Sequence, residues 1–261
     1  MTDLQSAPRS RLWTNAVLPV LGVVLTVGSW WVLTVALDID PFYLPSPADV
    51  VESFRNTPEF LLQESWTTLQ RVLIGFIIAV TGGLVIAVAL AASRTVERMT
   101  MPVLAAINAV PKVALAPLLL VWMGFGDAPK IVMVILVSFF PVVVSTMAGL
   151  TSAPADLREL ARSLSASWWQ TFVKVRLSWA LPQMFVGLKV ATPLAIIGAV
   201  IGEVVNPDHG LGSVIAGSGA SSDTPLAFAA LVLLALMGVI LFYLMAGIER
   251  LLVPWARAIS S

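Results

Sequence analysis

Four stretches of this chain carry no charged residue over a length that crosses a bilayer: residues 16–37, 72–92, 131–150 and 226–248. About 20 apolar residues at 1.5 Å each span the ~30 Å hydrocarbon layer as a helix, and a helix satisfies its own backbone groups there. Two further windows qualify despite isolated charges: 103–123, which contains Lys112, and 181–205, which contains Lys189 and Glu203. A chain that is 58% hydrophobic and 11% charged falls far outside the range of soluble domains. The expectation is an all-α integral membrane protein with six transmembrane helices. A polar tail over 1–15 precedes the membrane domain over 16–250, and a second tail over 251–261 follows it.

Net charge is zero, but its placement is uneven. Six spans put both termini on one side of the membrane. That side collects Arg9, Arg11, Arg94, Arg98, Arg158, Arg162, Lys174, Arg176, Arg250 and Arg257, against Arg55, Arg71 and Lys130 on the other. The positive-inside rule then makes both termini cytoplasmic. The first apolar run is too long for a signal-peptide core and no small-x-small site follows it, so it reads as a retained span. Without cysteine there are no disulfides, thiolate metal sites or cysteine nucleophiles. A single histidine, His209, excludes a multi-histidine metal site. Lipid is the obligatory surrounding, and no nucleic-acid partner is expected.

The connections have their own signals. Ser46-Pro47 is a helix start, serine as N-cap and proline at the first helical position. Beyond it Glu52, Arg55, Glu59 and Glu64 interrupt an apolar stripe, and Pro58 breaks it. That reads as one or two short helices on the outer interface, or as a solvated loop with helical turns. Residues 93–100 form a tight cytosolic link. Pro102, Pro111 and Pro117 should kink or partly unwind the third span. Residues 124–129 make a glycine-rich outer turn, and the small-residue run 206–225 suits a packed or partly re-entrant loop. Gly75, Gly82, Gly83 and Gly238 suit close helix packing.

One segment, 156–182, is charged and amphipathic where its surroundings are not. Asp156 followed by Glu159 resembles a capping box after Pro154. Leu157, Leu160, Ala161, Leu164 and Trp168 recur at helical spacing on one face. Such a helix either anchors a loop at the membrane interface or offers a surface for another protein.

Within the spans, charges should face protein or water. Lys112 lies about 13 Å along its helix from Val103. It reads as a cavity-lining cation beside the Pro111 break, or as a lysine neutralised by a carbonyl which that break frees. Lys189 is near enough to the cytosolic end to snorkel. Glu203 reads as part of an outer gate, or as a helix-end carboxylate bonded to the following loop. Phe139 and Phe140 could stack on a solute or pack against lipid. Asn108, Lys112, Phe139, Phe140 and Glu203 are the candidates for a pathway or gate.

Glu159-x-Ala161, position 165, and Val175-x-Leu177 resemble the cytosolic coupling motif of binding-protein-dependent ABC importer permeases, which runs Glu-Ala-Ala, three residues, Gly, nine residues, Ile-x-Leu-Pro. This chain departs from it at Leu160, Ser165 and Ser178, with Val175 a mild change. Ser165 matters most, because the family glycine lets the chain turn between two short helices. Leu44-Pro45-Ser46-Pro47, Pro111-Lys112-Val113-Ala114-Leu115-Ala116-Pro117-Leu118, Trp122-Met123-Gly124-Phe125-Gly126 and Phe139-Phe140-Pro141 are similar to the nitrate/sulfonate/taurine branch. Gly202-Glu203 ahead of Gly210-Leu211-Gly212, with Asp223-Thr224-Pro225-Leu226, is similar to members handling hydroxymethylpyrimidine-type thiamine precursors.

The resemblance covers residues 40–250 and implies a type I ABC importer permease fold with a cytosolic coupling helix inside 154–178, in a bacterial inner (plasma) membrane. It implies four kinds of company: ABC ATPase subunits that bind ATP and Mg, an extracytoplasmic substrate-binding protein, a second copy of the chain, and lipid. Asp156, Leu157, Glu159, Leu160, Ala161, Leu164 and Ser165 would form the ATPase-coupling surface. No Gly-x4-Gly-Lys-[Ser/Thr] phosphate loop occurs in the chain, so no cofactor and no catalytic residue is expected in it. The competing reading, a self-sufficient secondary transporter or channel, would need an intramembrane ion relay and inverted repeats. Lys112, Lys189 and Glu203 are sparse for the first, and the second is not visible. An intramembrane enzyme would need a catalytic pair that the spans lack.

Overall fold

The computed structural model describes residues 9–255; the remaining tail residues, Arg257 included, lie outside the described residues, as do the side chains of Arg9, Arg11, Arg94 and Arg158. The described elements are helical throughout. α1 (Arg9–Ala36) begins within the stretch expected to be a polar tail. Only 6% of its apolar window is buried against the rest of the chain. Its anchor is Trp30, whose Nε1–H donates to the Pro45 carbonyl at 3.1 Å and whose ring lies 5.9 Å from that of Phe228.

α2 (Pro47–Asn56) starts as the sequence indicates. The Asp49 N–H donates to Ser46 Oγ at 3.3 Å, and the Ser46 N–H donates to Asp49 Oδ2 at 2.8 Å. α3 (Pro58–Ala91) corrects the next expectation. Pro58 opens a 34-residue helix rather than breaking one, because proline at the first helical turn gives up only an N–H that has no partner there. The second short outer helix is therefore the first turns of the second span.

α4 (Arg94–Ala109) follows at once, so most of the expected 93–100 link is helical. The third span is then broken. Val110 is extended (φ −64°, ψ 128°), as a residue before proline prefers, and Pro111 brings no N–H to continue the ladder. A 3₁₀ turn (Lys112–Leu115) leads into α5 (Ala116–Met123), bent by 77° from α4. Among the described residues, five helices are long and apolar enough to cross a bilayer, and six if this bent pair counts as one span.

Gly124 (φ 77°) and Gly126 (φ 131°) turn the chain into α6 (Asp127–Thr151). Next come α7 (Ala155–Ser163) and α8 (Trp168–Thr171), which runs through a π-helical turn (Phe172–Leu177) into α9 (Ser178–Val205). The packed loop expected over 206–225 contains a helix, α10 (Leu211–Ser221), with Leu211, Gly212, Val214 and Ser218 buried. α11 (Thr224–Leu252) closes the bundle, its first turn capped by Asp223 Oδ1, which accepts from the Leu226 N–H at 3.1 Å.

α6 is the central element, gripped by α9 on one side and α3 on the other. Both grips close on Val134. A Cβ at Gly198 of α9 would lie 2.7 Å from Val134 Cα, and a Cβ at Gly75 of α3 would lie 2.5 Å from Val134 Cβ. Any side chain at either position would force the helices apart. Gly83 makes a similar approach to Val142, whereas Gly82 and Gly238 have room for a methyl group. One apolar cluster (Leu61, Val72, Val134, Ala199, Leu211, Ala230) fills the α10 end, and another (Ala87, Val143, Met147, Leu150, Phe172, Ala180) the α7 end.

Candidate functional site

At the α7 end, Pro154 precedes the helix and no side chain caps it. Asp156 lies in the first turn, where its charge favours the helix dipole, so the expected capping box is absent. The apolar stripe divides. Ala161 is buried, while Leu157, Leu160 and Leu164 are 37%, 56% and 73% exposed, and Asp156 and Glu159 are exposed beside them. Trp168 does not share that face: it belongs to α8 and stacks on Phe172, ring centroids 5.4 Å apart at 6°.

The turn between the two helices has the geometry that a glycine would favour. Ser165 has φ +54°. Its N–H donates to the Arg162 carbonyl and the Ala166 N–H to the Ala161 carbonyl, each at 2.9 Å, which is the paired closure of a Schellman C-cap. A capping box that the sequence reading passed over, Ser167-x-x-Gln170, starts α8: Gln170 N–H to Ser167 Oγ at 3.2 Å, and Ser167 N–H to Gln170 Oε1 at 2.9 Å. In the π turn, Arg176 reaches back to two helix C-termini. Its Nε–H donates to the Leu150 carbonyl of α6 at 3.2 Å, and Nη2 to the Ala91 carbonyl of α3 at 3.0 Å. Ser178, at the family's proline position, donates from Oγ to the Val173 carbonyl at 3.2 Å.

At the broken span, Asn108 and Lys112 come together. Lys112 Nζ donates to the Asn108 carbonyl at 3.1 Å and to its side-chain Oδ1 at 2.7 Å. That is the freed-carbonyl arrangement, one turn across the break. Phe139 joins the apolar cluster of the α7 end and Phe140 is half-buried on α6. Lys189 does more than snorkel, since its Nζ meets Glu249 Oε2 at 2.8 Å.

The α10 end holds a charge cluster of which the sequence reading isolated only Glu203. That carboxylate is fully buried. It accepts from Thr68 Oγ1 at 3.0 Å, Arg71 Nη1 at 2.9 Å and the Gly212 N–H at 2.9 Å, which is the loop-bonded reading with α3 added. Arg71 also meets Asp127 at 2.6 Å, and buried Lys130 pairs with Asp208. Glu64 accepts from the Gly210 N–H, with His209 Nδ1 3.2 Å away. Thr68 Oγ1 accepts from the Leu211 N–H at 2.8 Å. Gly210 (φ +106°) leaves no space for a Cβ, which would enter the Glu203 carboxylate. Burial works to raise the Asp208 acid, but the hydrogen bonds from Lys130 and the His209 N–H, with the Lys130 and Arg71 charges, hold it below the usual carboxylate range. Glu64, Thr68 and Arg71 follow at intervals of four and three, one face of a helix. That signal was available in the sequence and was hidden by reading Pro58 as a break.

The cluster fastens α10 to α3, α6 and α9, while the α7 end leaves its helix outside the bundle. A family model described as "Binding-protein-dependent transport system inner membrane component" matches residues 72–258. The riboflavin transport system permease protein of Chloroflexus aurantiacus is 39% identical, over 93% of this chain and 91% of its own. The formylaminopyrimidine transport permease protein of Halalkalibacterium halodurans is 31% identical, over 87% of this chain and 91% of its own. Among solved structures, a chain of the MetNI methionine ABC transporter in an inward-facing conformation shares the fold at TM-score 0.63 and 22% identity, covering 75% of this chain and 95% of that one. These comparisons support the expected permease and not the self-sufficient transporter or channel. The chain belongs to the binding-protein-dependent transport system inner membrane component family and is a multi-pass permease of an ABC importer.

Proposed function

We propose that this permease pairs with a second copy of itself in a bacterial inner membrane, both termini cytoplasmic, and conducts a small polar or heteroaromatic solute. An extracytoplasmic substrate-binding protein delivers the solute, and separate ATPase subunits carrying ATP and Mg drive the change of access. The names of the relatives, for riboflavin and for formylaminopyrimidine, support that solute class. ATP-driven switching works by stabilising one facing state over the other, so the permease needs a surface on which the ATPase can act.

The observation that carries the coupling role is the exposure of Leu157, Leu160 and Leu164 beside Asp156 and Glu159, on a helix that seats Ala161 against the chain. An apolar strip with a charged margin, kept out of its own core, is suited to a groove in another protein. Displacement of α7 would pass through the Ser165 turn and α8 into α9, the helix most closely packed on α6. Asn108 and Lys112 at the broken span, with Phe139 and Phe140, are the pathway candidates. Glu203 serves the scaffold of the α10 end.

Glu159→Lys tests the coupling role. Loss of co-purification with the ATPase, at unchanged thermal unfolding of the spans, is expected. Normal co-purification with normal uptake would overturn the assignment.

A further inference from the structure

Among the described residues, Lys112 has no carboxylate partner, unlike three other cations on the long helices. Arg71 meets Asp127 and Glu203, Lys130 meets Asp208, and Lys189 meets Glu249. Lys112 meets no carboxylate among the described residues; Asn108 supplies both of its acceptors. Those bonds satisfy two of its three N–H groups and neutralise none of its charge.

The charge is also deep. Ala116 and Leu119, just beyond Lys112, pack with Met133 and Val137, roughly 9–15 Å along α6 from Asp127. A lysine without a carboxylate partner at such a depth belongs against protein or water rather than hydrocarbon. Its neighbours Pro111, Val113 and Ala114 are exposed on the chain's own surface, so the break opens outward from this chain and not into its core.

We infer that Lys112 and Asn108 form a solute-selecting site on the pathway, which takes a neutral or anionic solute presenting an acceptor oxygen (carbonyl, carboxylate or sulfonate) and disfavours cations. This rests on the permease reading above. The site is exchangeable by construction. A solute oxygen replaces Asn108 Oδ1 on Nζ with a bond of the same kind, so the swap leaves no further donor unpaired. A fixed positive charge between low-dielectric walls raises the local concentration of anions and lowers that of cations.

The chain has no cysteine, so Ala114→Cys places a lone thiol two residues from Lys112. In the assembled complex with its ATPase, that thiol is treated with 2-sulfonatoethyl methanethiosulfonate and with its trimethylammonium counterpart. Each rate is normalised to the reagent's rate with a free thiol. The sulfonate is expected to be favoured roughly tenfold. That preference should vanish in Lys112→Met, vanish in Asn108→Asp, which gives the lysine a counter-charge, and persist in Lys112→Arg. Equal normalised rates, or a preference unmoved by Lys112→Met and Asn108→Asp, overturn the inference. So does a thiol that neither reagent reaches. The same labelling is repeated on the chain without ATPase, so failure to co-purify with the ATPase would sink the coupling reading while the charge preference is still read.

Discussion

Arg71 on α3 donates to Glu203 on α9 at 2.9 Å, with both side chains withdrawn from solvent, 5% and 0% exposed. The pair joins two spans that are far apart in sequence, and Asp127 at the head of α6 completes the junction from the third. Burying two charges is costly, so the pair does not announce a large net stabilisation, but removing one partner strands the other. Glu203→Gln is therefore expected to lower unfolding stability in detergent by about 3–5 kcal/mol. Arg71→Met with Glu203→Leu together should cost less than the two single changes summed. A double-mutant cycle in thermal unfolding decides the point; strict additivity would mean the pair is not coupled.

The Asp208 carboxylate, held below the usual range mainly by Lys130 against the opposing effect of burial, ties the start of the α10 segment to α6. A group whose folded acid is depressed contributes stability above its unfolded value and loses it as pH falls toward the folded one. Detachment of the 206–212 segment should accordingly be absent at neutral pH, and should begin only as pH drops below about 3.8, the ordinary value for aspartate. Asp208→Asn should show the same loosening at pH 7. Hydrogen exchange of the His209 and Leu211 amides follows both arms. An acid transition that is unchanged in Asp208→Asn would assign the effect to another group.

The spans were legible because a charge-free run of bilayer length has few other solutions. Helix starts marked by a cap and a proline, as at Ser46-Pro47, were legible for the same local reason. Pro58 misled because proline signals a break and a first turn equally well, and only the residues that pack beyond it decide which. Pro111 announced a disruption, but its 77° size depends on α5 folding onto α6, which is tertiary information. At the candidate sites, motif spacing singles out Glu159 and Ser165, and of these the structure puts Ser165 in the left-handed turn between α7 and α8. Lys130 was counted as an outer surface charge because nothing local shows that Asp208 will reach it. The Ser167-x-x-Gln170 capping box is legible from its spacing alone, because both of its bonds are local.

Ser165 holds φ +54°, where a β-carbon crowds the backbone. A left-handed residue other than glycine costs roughly 1 kcal/mol. Ser165→Gly should relieve that strain and raise the protection of the Ala166 amide about fivefold, offset slightly by a freer unfolded chain. Ser165→Val, with a branched side chain, should lose protection throughout α7. If the glycine variant is no better protected than the parent, the turn is not strained and the serine is fully accommodated.

Arg176 gives the α7 end its mechanical logic. The carbonyls of the last helical turn have no partners within their own helix, and a cation there satisfies them and complements the helix dipole. Arg176 does this for α3 and α6 at once, from the turn that joins α8 to α9. It is a fork with separate N–H groups, so a lysine can replace one of these bonds but not hold both. If movement of α7 reaches the spans through this junction, Arg176→Met should leave ATPase co-purification intact, because the α7 surface is untouched, while lowering ATP-driven uptake at least tenfold. Arg176→Lys should fall between the two. The separation of binding from uptake is the readout that a merely structural role would not produce. Loss of both together, with a lowered unfolding temperature, would make Arg176 a folding residue instead.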